Sequence, residues 1–188
     1  MAGRLEFAAQ APGLELIEDR YDVEIAIPYD FPTSIASVRE TAGRIPSTYH
    51  TLTNGSLCLG SRIRVRLIAS ASPSVLRFVE RCVVPYLYGH SYFVKHGVMP
   101  FGELEHGEQG TLQDLGSLFG TTDRMQGAEF ARLVTMKRRR ANKHPCACGS
   151  RLRLGQCHNR KVNWLRDRLG RGAFRRELQM ILAEMRRT

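Results

Sequence analysis

Residues 146–158, CACGSRLRLGQCH, put three cysteines into twelve residues and a histidine directly after the last, in the pattern C-x-C-x8-C-H. A segment this short carries too little apolar material to build a core alone. The other two of the five cysteines, Cys58 and Cys82, stand alone. In a reducing compartment such clustering favours a metal over disulfides. Thiolates and imidazole suit tetrahedral zinc, and Cys146, Cys148, Cys157 and His158 would close a structural site with no open position. The Gly149-Ser150 turn lets the chain fold back so that the second pair of ligands meets the first. The alternative is a set of reduced surface thiols.

Charge sets the same region apart. Residues 137–188 hold 16 Lys/Arg against 3 Asp/Glu, whereas residues 1–136 hold 12 against 15. All of the net charge of +10 therefore comes from the last 52 residues. The step predicts two modules, 1–136 and a basic tail at 137–188, with the boundary near KRRRANKHP. Such a tail suggests an acidic protein surface or nucleic acid as partner, although a run such as KRRR is also an ordinary solvated helix end. No stretch approaches the roughly 20 apolar residues that a membrane span needs. The first ten residues, MAGRLEFAAQ, lack an apolar signal-type core. A cytoplasmic protein with no membrane contact is the expectation.

The first third reads as strands. Residues 4–10 and 14–18 are short and β-compatible, and YDVEIAIP (21–28) alternates, with Val23, Ile25 and Ile27 on one face. One more strand is expected within 34–43, followed by a long connection that turns at Asn54-Gly55. From residue 72 the period becomes helical. Ser72-Pro73 suits a helix start, Leu76, Val79, Val83 and Leu87 share a face, and Pro85 is expected to kink or split the helix. Further helices are predicted at 110–120, at 121–140 with Thr122 or Asp123 as cap, and at 173–187. In the last of these Phe174, Leu178, Ile181, Leu182 and Met185 share a face. The class is α+β, with an antiparallel meander first, helices after it and a small metal-binding helical tail last.

Residues 145–158, PCACGSRLRLGQCH, resemble the SEC-C motif, a small zinc-binding module appended to many bacterial proteins. The resemblance implies structural zinc at the four residues named above and a docking role for the basic surface. A second resemblance rests on the order of several features: YDFP at a strand end, His50 eight residues before Cys58, NGSLCL around that cysteine, and Ser72-Pro73 opening a helix. This order is similar to the ubiquitin-conjugating enzymes, whose fold is a four-stranded meander, a loop carrying the active cysteine and helices crossing the sheet. GVMPFGELEHGEQGTLQDL (97–115) is similar to a segment of bacterial relatives, some of which occur in anti-phage defence and modify a partner enzyme.

The resemblance implies a transferase that carries an acyl group as a thioester on Cys58, with His50 and His106 in supporting roles. Its partners would be a ubiquitin-like protein or a partner enzyme's C-terminus, and an activating enzyme. Two departures stand out. The family's His-Pro-Asn tripeptide is replaced by His50-Thr51-Leu52, so the asparagine is missing, and Asn54 suits the turn with Gly55. The family's N-terminal helix is absent or replaced by a strand. Two other readings stay open: an inactive scaffold of the same fold whose zinc module binds protein or nucleic acid, and a cysteine hydrolase using Cys58 and a histidine. Cys82 is expected to be buried among helix residues, and His90 and His96 to lie at the surface or a helix end.

Overall fold

The structure, a computed structural model, describes residues 1–101 and 107–186. Its order is β1 (Ala2–Gln10), β2 (Leu16–Ala26), β3 (Ser37–Glu40), α1 (Arg62–Ala71), α2 (Val75–Phe78), α3 (Val84–His96), α4 (Gly107–Phe119), α5 (Arg124–Thr135), α6 (Arg138–Ala141) and α7 (Asn159–Met185). It is an α+β protein with an antiparallel sheet in the order β1-β2-β3.

The two strand segments expected at 14–18 and 21–28 are one eleven-residue strand. β2 pairs with β1 from Ala2↔Glu24 to Gln10↔Leu16, and with β3 from Val23↔Glu40 to Ala26↔Ser37. Its buried face carries Ile17, Tyr21, Val23 and Ile25, as the period of two requires. Ile27 lies past the strand end and is exposed. Three strands are found among the described residues, where the resemblance implied four. In place of the fourth, Leu57 N–H donates to Val38 O (2.7 Å) and Leu57 bridges to Thr51. The N-terminal position is held by a strand, not a helix.

Pro85 changes the helix type locally without breaking the helix, which runs from Val75 to His96. Residues 79–83 form a π turn with right-handed helical backbone on both sides, placed just ahead of Pro85, whose missing N–H and ring an ordinary helix interior tolerates poorly. The following residues Leu87 to Ser91 are all buried.

The chain divides into two compact units, Met1–Gly60 with Ile68–Glu103, and Ser61–Leu67 with Leu104–Thr188. The division falls elsewhere than the charge step at residue 136. Leu112, Leu115, Phe119 and Phe130 of α4 and α5 share one core with Ala141, Cys146, Leu154, Val162, Leu165 and Phe174 from the basic segment. Charge patterning follows the surface, whereas core membership follows apolar faces, and these run straight across residue 136. Within this unit α5 stops at Thr135, so KRRR belongs to the separate turn α6 and not to the end of a helix over 121–140. Arg166 accounts for that stop. It is buried, and its guanidinium donates to Leu133 O (2.8 Å) and Val134 O (3.1 Å), closing the carbonyl end of α5. In α7, Gly170 takes φ +75°, which breaks the helix into two stretches. Phe174 and Ile181 are buried as expected, but Leu182 is exposed, and the side chain of Met185 lies outside the described residues.

Candidate metal centre and thiol loop

The strongest cluster is built by backbone turns. After α6 the chain runs through Pro145, which bridges to Arg153, while Cys146 N–H donates to Leu152 O (2.8 Å) and Leu154 N–H to His144 O (2.8 Å). This closes a small loop that carries Cys146 and Cys148 on one limb. A 3-10 turn at Leu154–Gln156 then brings Cys157 round, and His158 follows directly before α7. The adjacency of two ligands is thus resolved by a turn.

The ligand atoms of Cys146, Cys148, Cys157 and His158 all lie within 4.8 Å of one another. Cys146 Sγ is 3.5 Å from Cys148 Sγ and 3.3 Å from His158 Nδ1, and Cys157 Sγ is 3.6 Å from Cys148 Sγ and 3.1 Å from His158 Nδ1. Bonds of roughly 2.0–2.3 Å to a tetrahedral ion would give edges of about 3.3–3.8 Å. The donor set therefore fits one four-coordinate metal ion. Burial pushes the Cys146 thiol up to about 11, whereas the Ser150 hydroxyl leads the hydrogen bonds that bring Cys148 down to about 6. An ion in the cluster would take both as thiolates. The His158 ring packs edge-on to Phe130 at 5.2 Å, and Phe130 stacks on Phe119 at 4.7 Å, so one ligand is continuous with the unit's core.

Cys58 belongs to the other unit. It is half-buried, on a loop pinned by main-chain bonds: Cys58 N–H donates to His50 O (2.7 Å), next to the Leu57–Val38 bond. Asn54 Oδ1 accepts from Ser56 N–H (3.0 Å), and Gly55 sits at φ +78°, so the expected turn forms and Asn54 is committed to it. His50 meets Cys58 through its main-chain carbonyl, and the His50 ring packs edge-on to Tyr49 at 5.2 Å. His106 lies outside the described residues. Cys82 is buried as expected, and burial pushes its thiol up to about 11.

The sequence did not reveal what holds this loop. Tyr86 Oη donates to the carbonyls of Tyr49 (3.0 Å) and His50 (3.2 Å). Burial raises the Tyr86 hydroxyl, with nearby Tyr49 and Cys58 adding to it. His90, four residues on, is buried and not at the surface as expected, with its ring 4.7 Å from that of Tyr49. The i, i+4 spacing of Tyr86 and His90 was the available signal. His96 does end α3, paired with Glu15.

Behind His90 runs a buried polar chain. Its Nδ1 is 2.8 Å from Tyr21 Oη, which is 2.8 Å from Ser91 Oγ, and Ser91 donates to Asp19 Oδ2 (2.7 Å). Each hydroxyl has one proton, and that of Ser91 goes to the carboxylate. Tyr21 must then donate to Ser91, and His90 Nδ1–H to Tyr21. Arg44 completes the chain with two bonds of 3.0 Å to Asp19, and lies over the Tyr21 ring at 4.1 Å.

Fold and site together define an α+β protein with a small antiparallel sheet and a cluster of three cysteines and one histidine that can hold a metal ion. No protein-family model, curated protein or solved structure matches the chain. No helix among the described residues is long and apolar enough to cross a membrane.

Proposed function

We propose that Cys58 is the acyl-carrying nucleophile of a conjugating-type transferase, and that the second unit is a zinc-held docking module. The observation that carries the first part is the display of Cys58: a half-buried thiol on a loop held by main-chain bonds to Val38 and His50 and by Tyr86 from α3. In the reaction, the Cys58 thiolate attacks the carbonyl carbon of an activated C-terminus. The new S–C bond forms as the donor's leaving group departs. An acceptor amine then attacks the thioester, an N–C bond forms, Cys58 leaves as thiolate and the amine's proton passes to solvent. Three thiolates and an imidazole at tetrahedral spacing favour zinc in the cluster, and with four protein ligands such an ion is structural.

One observation favours the scaffold reading. Asn54 is engaged in its own turn, and Leu52 stands where the family has its asparagine two residues after the histidine, so the amine-attack step lacks the family's oxyanion donor. The two readings give different results. Incubation with an activated ubiquitin-like donor should yield an adduct that free thiol removes, absent in Cys58→Ala and present in Cys82→Ala. Iodoacetamide should label Cys58 first among the five thiols, with Cys82 shielded by burial and the cluster by its metal. An adduct that survives Cys58→Ala overturns the nucleophile. The scaffold reading expects partner binding to survive Cys58→Ala and to be lost, together with bound zinc, in Cys146→Ser.

A further inference from the structure

We infer that the second unit carries a binding face for single-stranded nucleic acid, separate from the chemistry of Cys58, with Trp164 as a base-stacking platform and arginines as phosphate contacts. The charge excess after residue 136 is of one kind: 13 of its 16 cationic side chains are arginine. The planar guanidinium matches phosphate oxygens two at a time and stacks on flat rings. Lys137, Arg139, Arg140 and Lys143 line one concavity and are exposed. Among the described residues none of these four is in an ion pair, whereas elsewhere Arg44, Arg64 and Arg132 each hold a carboxylate.

The second observation is the indole. Trp164 is the chain's one tryptophan, and it stays 50% exposed while Val162, Asn163, Leu165 and Arg166 around it are buried. Core packing therefore leaves about half of the Trp164 surface open to solvent. Lys161 Nζ sits 5.5 Å from the ring centroid, and Lys161, Trp164 and Arg168 follow one another at spacings of three and four, one helix face ahead of the break at Gly170. An exposed aromatic ring flanked by cations is how sequence-tolerant binders hold an unpaired base and its phosphates. A duplex hides its base faces from such a ring, and an acidic peptide would use the charges but leave the indole idle.

Because Trp164 is unique, its own fluorescence reports binding. The full chain is titrated with a short oligothymidylate, with a duplex of the same length and with polyglutamate of similar charge. The oligothymidylate should quench Trp164 and bind best, and its affinity should fall on the order of a hundredfold between about 50 and 200 mM salt. Arg139→Ser with Arg140→Ser should lower the log–log salt slope by about 1.4, roughly 0.7 for each lost phosphate contact. By anisotropy of a labelled strand, Trp164→Leu should bind about tenfold more weakly and Trp164→Phe close to wild type, with metal content and circular dichroism unchanged. Cys58→Ala should bind like wild type. Absence of binding at low salt, polyglutamate or duplex binding as tightly as the single strand, or unaltered binding by Trp164→Leu would each overturn the inference. None of these outcomes bears on the thioester.

Discussion

Asp19 is the one charged residue on the buried face of β2, in register with Ile17, Tyr21 and Val23. Burial alone would raise its carboxyl, but the bonds from Arg44, Ser91 and the Arg20 N–H outweigh burial and hold it at about 2. At the other end of the chain, burial lowers the His90 imidazole, helped by the Arg44 charge against the opposite pull of Asp19 and Glu40. Both shifts mean that the unfolded chain binds protons more readily than the folded one, so stability falls with acid. The His90 contribution is full above the unfolded value of about 6.5 and fades below it. The Asp19 contribution is full above about 3.8 and is lost as pH falls through about 2. Urea midpoints followed by tyrosine near-ultraviolet dichroism should therefore drop in two stages. All six tyrosines lie in the sheet unit, so the signal is specific to it. His90→Gln should remove the upper stage and leave the lower one.

At the scale of elements, α4 and α5 approach closely at Gly127 and Gly116. A Cβ built on Gly127 would stand 2.6 Å from Gly116 N, 2.7 Å from Gly116 Cα and 3.2 Å from Leu112 O. Those are main-chain atoms of a facing helix, which have no rotamer to yield. Helix propensity favours alanine over glycine by about 1 kcal/mol, but overpacking against a backbone costs ~1–3 kcal/mol and forces the helices apart. Gly127→Ala should lower stability by about 2 kcal/mol, read as a lower urea midpoint of Trp164 fluorescence. The start of α5 was legible, since Asp123 caps it by accepting from Met125 N–H (2.8 Å) and Gln126 N–H (3.2 Å), and its local pattern announces that. Its end was not, because the residue that closes it, Arg166, is more than thirty positions away. Helix α1 was not read from the sequence either. Its residues straddle the two units, Ile63 entering the helical core while Ile68 onward belongs with the sheet.

At the scale of the whole molecule, the metal-type cluster belongs to the core of its unit, through His158 against Phe130 and Cys146 beside Ala141 and Leu154. If the proposed ion holds the cluster, a strong chelator should loosen α4 and α5 along with the basic segment, and not residues beyond about 140 alone. Hydrogen exchange should then rise across α4–α7 and stay low across β1–β3, with the Trp164 emission shifting and the tyrosine dichroism unchanged. Exchange confined to residues after 140 would show that the charge step, not the packed core, marks the folding unit. The sequence by itself determined the class, most strand and helix positions, the Asn54-Gly55 turn and the four donors of the cluster. Each of these is written in local spacing: a period of two or 3.6, a turn dipeptide, or cysteines a few bonds apart. Only the tertiary structure decided that the helices and the basic segment share a core, that His90 is buried in a chain ending at Asp19 and Arg44, and that Tyr86 holds the carbonyls beside Cys58. Those contacts join residues tens of positions apart, and their partners are selected by packing and by satisfying buried polar groups, which no local pattern encodes.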